Sequence, residues 1–261
     1  MFPNLLAMRS APARRGVRSI FNSAGKKRLL GCLAACVLAL CCCPRAAAQE
    51  ADGETQNEFW PEVNVYVNLD PKWRLFFLAN ISKNRDTQSN LEGQIGAHVD
   101  YFVSDKLSLR AGYRYGSSLA ADDPRVEHRV LFEQTVRVPL PGHLMLSDRN
   151  REELRVVNGD FSARYRNRAT LEREFAVGRY KFTPYVSGEA FHDTRFNVFN
   201  RNRLAAGVQL PLGKGLSPFR EHQALLPRKS LSLDLYYARQ NDSRSTPHHV
   251  NAVGAVLVFS Y

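Results

Sequence analysis

Cysteine is absent from residue 49 onward, because all five cysteines (Cys32, Cys36, Cys41, Cys42 and Cys43) fall within the first 48 residues. A chain that loses this head has no disulfide framework, no thiolate nucleophile and no cysteine metal site. Long apolar runs are missing as well. After Gln49 no segment approaches the roughly 18 consecutive apolar residues that a membrane helix requires. Acid is missing from residues 1–48, which carry eight basic side chains: Arg9, Arg14, Arg15, Arg18, Lys26, Lys27, Arg28 and Arg45. The whole chain has a formal net charge of +11, which taken alone points to a nucleic-acid partner. Removing those eight from the 36 basic residues leaves 28 against 25 acids, a remainder of +3. The basic balance therefore belongs mostly to the head, and nucleic-acid binding is disfavoured.

The head has the three parts of a secretory signal. A basic region ends at Lys26-Lys27-Arg28, an apolar stretch runs from Leu29 to Cys43, and Ala46 and Ala48 occupy the positions a signal peptidase reads before Gln49. The apolar stretch is too short to span a bilayer as a helix. Leu33-Ala34-Ala35-Cys36 is an alternative, lipoprotein-type cleavage box, but the apolar run continues past Cys36. The expected organisation is a signal peptide over 1–48, a short polar lead over 49–58 and one domain over 59–261. An exported chain without membrane helices enters a membrane only as a closed barrel, the other backbone arrangement that satisfies its own hydrogen bonds in lipid.

From Phe59 onward the chain alternates with a period of two and is punctuated by turn residues, which predicts strands. In the segment Leu91 to Phe102, Leu91, Ile95, Ala97, Val99 and Tyr101 fall on one face, while Glu92, Gln94, His98 and Asp100 fall on the other. Eleven such segments can be counted. The others are 61–69, 73–82, 107–116, 127–138, 144–156, 160–175, 180–192, 201–212, 231–238 and 250–261. Short turns (Asp70-Pro71, Ser104-Asp105, Pro139 to Gly142, Gly178) alternate with longer polar loops, the pattern of an outer-membrane barrel. Bacterial single-chain barrels have even strand numbers. The expectation is therefore an all-β fold, a closed antiparallel transmembrane barrel of about 10–12 strands, with one segment miscounted or hidden in the polar lead or in Gly213 to Lys229.

The middle of the chain is rich in charge. Arg149, Arg151, Glu153 and Arg155 sit at alternate positions, so a strand places all four on one face. Arg164, Arg166, Arg168, Glu172 and Glu174 repeat the arrangement, and Glu189 and Arg203 continue it on later segments. Glu127, Arg129, Glu133 and Arg137 lie on a preceding segment. A water-soluble sandwich in the periplasm would turn this charged face outward; a membrane barrel would turn it inward. Apolar faces recur along nearly the whole chain, aromatics gather at segment ends, and the last strand closes on Phe259-Ser260-Tyr261. These features favour the barrel, with Phe259 and Tyr261 as the signal read by the barrel assembly machinery and outer-membrane lipid as its surroundings.

Phe59-Trp60, the Arg-x-Arg-x-Glu-x-Arg run at Arg149 to Arg155, Arg164-Tyr165-Arg166, Asn202-Arg203-Leu204 and the aromatic end together resemble a family. It is an uncharacterised, domain-of-unknown-function family of proteobacterial outer-membrane proteins, and the likeness covers Phe59 to Tyr261. The resemblance implies a barrel in the bacterial outer membrane and supplies no activity.

Two roles fit the Arg/Glu wall. It lines a narrow lumen structurally, with each guanidinium pairing carboxylates through its planar fork, or it recognises a small polar or anionic solute. Among the histidines, His128 follows Glu127 and His192 precedes Asp193, which raises a rim-sited lipid hydrolase as a further alternative. Neighbouring strand residues point to opposite faces, however, and no serine stands in a nucleophile context. His248-His249 has no third metal ligand at a fixed short spacing. No enzyme activity, cofactor or metal is expected.

Overall fold

The structure, a computed structural model, describes residues 55–84, 91–119, 125–178, 180–212, 230–244 and 246–261. The strands are β1 (Thr55–Asn68), β2 (Trp73–Asn84), β3 (Leu91–Phe102), β4 (Leu107–Ser118), β5 (Val126–Leu140), β6 (Leu144–Val157), β7 (Asp160–Arg173), β8 (Phe175–Val177), β9 (Tyr180–Asp193), β10 (Val198–Pro211), β11 (Ser230–Asp242) and β12 (His249–Ser260). Among the described residues no helix is long and apolar enough to cross a membrane, which leaves strand-based crossing open.

Each strand pairs with the next, and β1 pairs with β12 to close the sheet. The three-residue β8 only extends the foot of β9, pairing Phe175 with Phe182. The barrel proper therefore has eleven strands, the number of alternating segments counted from the sequence. The even-number expectation is corrected for a simple reason. In a meander each strand reverses the last, so an odd count leaves the first and last strands running the same way. The closing pair is indeed parallel, from Thr55↔His249 to Tyr66↔Ser260, while every other pair is antiparallel. The sheet is mixed rather than purely antiparallel. β1 also begins at Thr55, inside the expected polar lead, whereas the expected signal peptide and 213–229 lie outside the described residues.

Local chemistry sets the turns. The Asp70 carboxylate accepts the backbone N–H groups of Lys72 (2.6 Å) and Trp73 (2.8 Å), an Asx turn just ahead of β2. Ser104 Oγ does the same for Lys106 and Leu107. Between β6 and β7 the two-residue turn Asn158-Gly159 has φ values of 49° and 93°, the left-handed pair that a primed hairpin turn needs.

The faces are inverted relative to a soluble protein. Ile95 is 60% exposed and Phe132 53%, and Phe77, Val130, Leu154, Val186 and Leu204 likewise stand on the outside. Inside lie Asp100, Glu127, Arg129, Glu133, Arg151, Glu153, Arg155, Arg166 and Glu189, all nearly inaccessible. Exposed apolar belts of this extent are rare on monomeric soluble proteins and mark protein or membrane contact surfaces. Apolar filling of the lumen gathers where Ala238, Val250 and Ala252 pack with Trp60, Ala205 and Tyr236. Gly254 permits this: a Cβ there would sit 2.0 Å from the Tyr236 ring. Phe76, Leu78, Leu131 and Phe191 are buried among the charges of other strands.

Candidate functional site: the charged wall of the lumen

The wall is built by the inward faces of β5, β6, β7, β9 and β10. Their register opposes like charges directly: Arg129↔Arg155, Arg151↔Arg166 and Arg149↔Arg168 are Cα partners. Such pairs repel unless something intervenes. Carboxylates on the same face do so, Glu153 from the diagonals and Glu189 and Glu133 as direct Cα partners of Arg168 and Arg151. Glu153 Oε1 lies 2.9 Å from Arg166, 3.4 Å from Arg129 and 3.6 Å from Arg151. Glu189 holds Arg149 (2.7 Å), Arg166 (2.9 Å) and Arg168 (2.9 Å), with Arg203 at 3.9 Å. Towards the end where β1 begins, Glu127 joins Arg129 (2.6 Å) to Arg155 (2.7 Å), and Asp193 joins Arg155 to Arg164 (2.8 Å). Asp193 also accepts from Arg195 in the following loop, and this hydrogen bond raises the Arg195 pKa above its ordinary value. Glu133 carries the chain back through Arg151 (2.5 Å) to Arg110, 3.9 Å away. Asp100 then binds Arg110 (2.5 Å) and Arg74 (2.9 Å).

Nine of the eleven candidate residues thus meet in one network: Arg149, Arg151, Glu153, Arg155, Arg164, Arg166, Arg168, Glu189 and Arg203. Glu172 and Glu174 do not join it. Glu172 is half-buried further along β7 with no ion pair among the described residues, and Glu174 interrupts β7 and β8, where Lys181 lies 3.3 Å away. The network reaches beyond the candidate set to Arg74, Asp100, Arg110 and Asp193. Their signal was parity alone: Asp100 shares the inward face of β3 with His98, and Asp193 that of β9 with Glu189. Phe191 was not foreseen. It is buried in the charged wall with the Arg166 guanidinium 4.6 Å from its ring centroid and those of Arg203 and Arg201 at 5.5 and 5.6 Å, a cation–π arrangement.

Within this network cations outnumber acids, whereas Glu58, Glu62, Glu172, Asp234 and Asp242 are further acids on inward faces outside it. Asp100, Glu127, Glu133, Glu153, Glu189 and Asp193 are six carboxylates. The interior arginines within 4 Å of them are ten: Arg74, Arg110, Arg129, Arg149, Arg151, Arg155, Arg164, Arg166, Arg168 and Arg203. Arg114 adds another. It has no carboxylate within 4 Å among the described residues, and its Nε donates to His98 Nε2 at 3.1 Å. The buried Nε groups of Arg149 and Arg168 have no acceptor among the described residues.

The histidines weighed for catalysis face outward, on the side away from Glu127 and Asp193. His128 Nδ1 lies 2.6 Å from the Tyr113 hydroxyl, and His192 packs edge-on against Phe199 at 5.1 Å. Among the described residues no group of three His, Cys, Asp or Glu side chains is placed to hold a metal ion.

No match is found among curated proteins. Among solved structures, the crystal structure of the beta domain of the Bordetella autotransporter Brka is similar, at 16% identity and a TM-score of 0.43. The match covers 72% of this chain and 82% of that one. A family model matches residues 57–251, and the chain belongs to that family, described as proteins of unknown function (DUF2490).

Proposed function

We propose that this barrel is an integral protein of the bacterial outer membrane whose lumen takes up small anionic solutes. The local excess of guanidinium over carboxylate in this wall carries the reading. An unpaired charge inside a barrel wall is costly to bury, several kcal/mol per ion after relaxation. A wall that gathers ten arginines around six carboxylates and leaves Arg114 without one is therefore poised to accept negative charge. The free Nε donors of Arg149 and Arg168 offer hydrogen bonds to match. The apolar outer belt supports the membrane setting, because lipid is the phase in which such a face costs nothing. The sequence head supports export.

The purified protein in planar bilayers under a salt gradient tests the proposal. The expected result is conductance with a reversal potential on the anion side, weakened by replacing Arg114 and Arg168 with Gln. A structural reading has its own support, since Arg151 and Arg166 each bridge two carboxylates from different strands. That reading predicts no conductance, no stabilisation by added anion, and loss of thermal stability as the only effect of arginine removal.

A further inference from the structure

The outward face of the barrel is largely apolar, and its polar side chains form two groups: Asn57, Asn202, Arg239, Asn241 and Asn251 near the strand ends of β1, β10, β11 and β12, and a second group in mid-strand. In mid-strand on β5, β6 and β7 a row of amides runs along the pairing direction: Gln134 is the Cα partner of Asn150, and Asn150 of Asn167. Asp148 and Glu152 flank Asn150 on the same face of β6. Leu154 and Val156 continue that face on one side, and Leu144 and Leu146 on the other. The patch thus interrupts the belt and does not belong to a rim. It is partly knitted together. Asn150 and Asn167 donate to the two oxygens of Asp148 (2.8 and 2.7 Å), and Tyr165 and Asn167 donate to the Asn150 carbonyl oxygen. Gln134 and Glu152 stand exposed with no partner among the described residues. Beside the row lies a depression of about 510 Å³, lined by Leu146, Ala169, Leu171, Val186, Gly188 and Leu204. It is contiguous with the row, because Ala169 is the Cα partner of Asp148.

Acyl chains give no donor to a carboxylate or an amide, and an unsatisfied polar group in hydrocarbon costs several kcal/mol. A protein surface must therefore cover this patch. Side-chain amides both donate and accept, so a row of them is its own complement. The unpartnered Glu152 carboxylate of one copy can be met by the unpartnered Gln134 amide of another, with no foreign group required. Twofold pairing uses one patch twice, and small residues beside polar ones are the composition that lets membrane-embedded surfaces approach closely. We infer that the β5–β7 outer face is the contact by which two copies of this chain pair within the membrane.

This inference rests on the membrane reading, which fractionation of the same cells reports separately. Residues 49–261 contain no cysteine, so single introduced cysteines report proximity. The full chain carrying Asn150→Cys is oxidised in isolated membranes, beside Val63→Cys on β1 at the far side of the ring. A disulfide product of twice the chain mass with Asn150→Cys only is the expected result. No product, equal products from both variants, or a product of another mass overturns the inference. A second variant, Asn150→Leu with Asp148→Leu and Glu152→Leu, makes the face wholly apolar. In mild detergent the parent should have the mass of two copies and this variant that of one. A parent of single-copy mass, with or without bound lipid, or a variant that stays paired, overturns it equally.

Discussion

Replacing Glu153 with Gln removes one charge at the centre of the wall while keeping its shape. Glu153 is fully buried and faces three guanidiniums, those of Arg166, Arg129 and Arg151, at 2.9 to 3.6 Å. The amide oxygen can keep the Oε1 acceptor position, but all three guanidiniums lose this counter-charge. Breaking a buried ion pair from one side costs about 3–5 kcal/mol, since the stranded charge keeps its desolvation penalty. For a domain of this size each kcal/mol moves the melting temperature by about 2–4 °C. The variant should therefore melt on the order of 10 °C below the parent, read as the temperature at which the folded band disappears on a detergent gel. Asp105→Asn, in an exposed turn, is the control and should stay within about 0.5 kcal/mol of the parent. A small anion should restore part of the loss by filling the vacated charge, by about 2.7 kcal/mol at a hundredfold excess over its dissociation constant. A Glu153→Gln protein that melts within about 2 °C of the parent at low salt would refute the claim that the diagonal Glu153 carboxylate holds the opposed arginines apart.

Three further outcomes follow from the same geometry. Arg114→Met should hold or raise the melting temperature while reducing anion selectivity in bilayers, because it deletes a cation that no carboxylate balances. Gly254→Ala should destabilise by about 1–3 kcal/mol in the same gel assay, since the new methyl group overlaps the Tyr236 ring. Ile95→Lys, in the middle of β3's outer face, should cost about 2–4 kcal/mol in lipid refolding titrations; a neutral effect there would remove Ile95 from the lipid belt.

Most of the fold was legible because a barrel wall is a two-letter text: each strand repeats apolar-out, polar-in, and turn residues mark its ends. Asp70-Pro71 carries its geometry in the Asp70 carboxylate, which caps the turn. The closure was not legible. No residue of Thr55–Asn68 or His249–Ser260 announces that the two strands run parallel, since that follows from the parity of the count. The site was legible as a face and illegible as a network. Alternation put Arg151 and Arg166 on the same side, but only register reveals that they oppose each other and that Glu153 bridges them. Glu174 misled because the alternation runs on past Arg173, whereas the strand breaks there. The Asn150 row escaped notice because it occupies the face that reads as apolar.

The parallel seam also decides sidedness. An even-stranded meander returns its last residue to the side where the first began. Here Thr55 stands at one end of the sheet, beside His249, and Tyr261 stands at the other, beside Asn68. Anything joined ahead of Thr55 therefore emerges on one side of the sheet and anything joined after Tyr261 on the other. In the proposed membrane setting, a chain delivered from a single compartment has to carry one of its ends across the bilayer to complete its own wall. Epitopes fused at the two ends would be reached by a non-permeant antibody from opposite sides of the same bilayer.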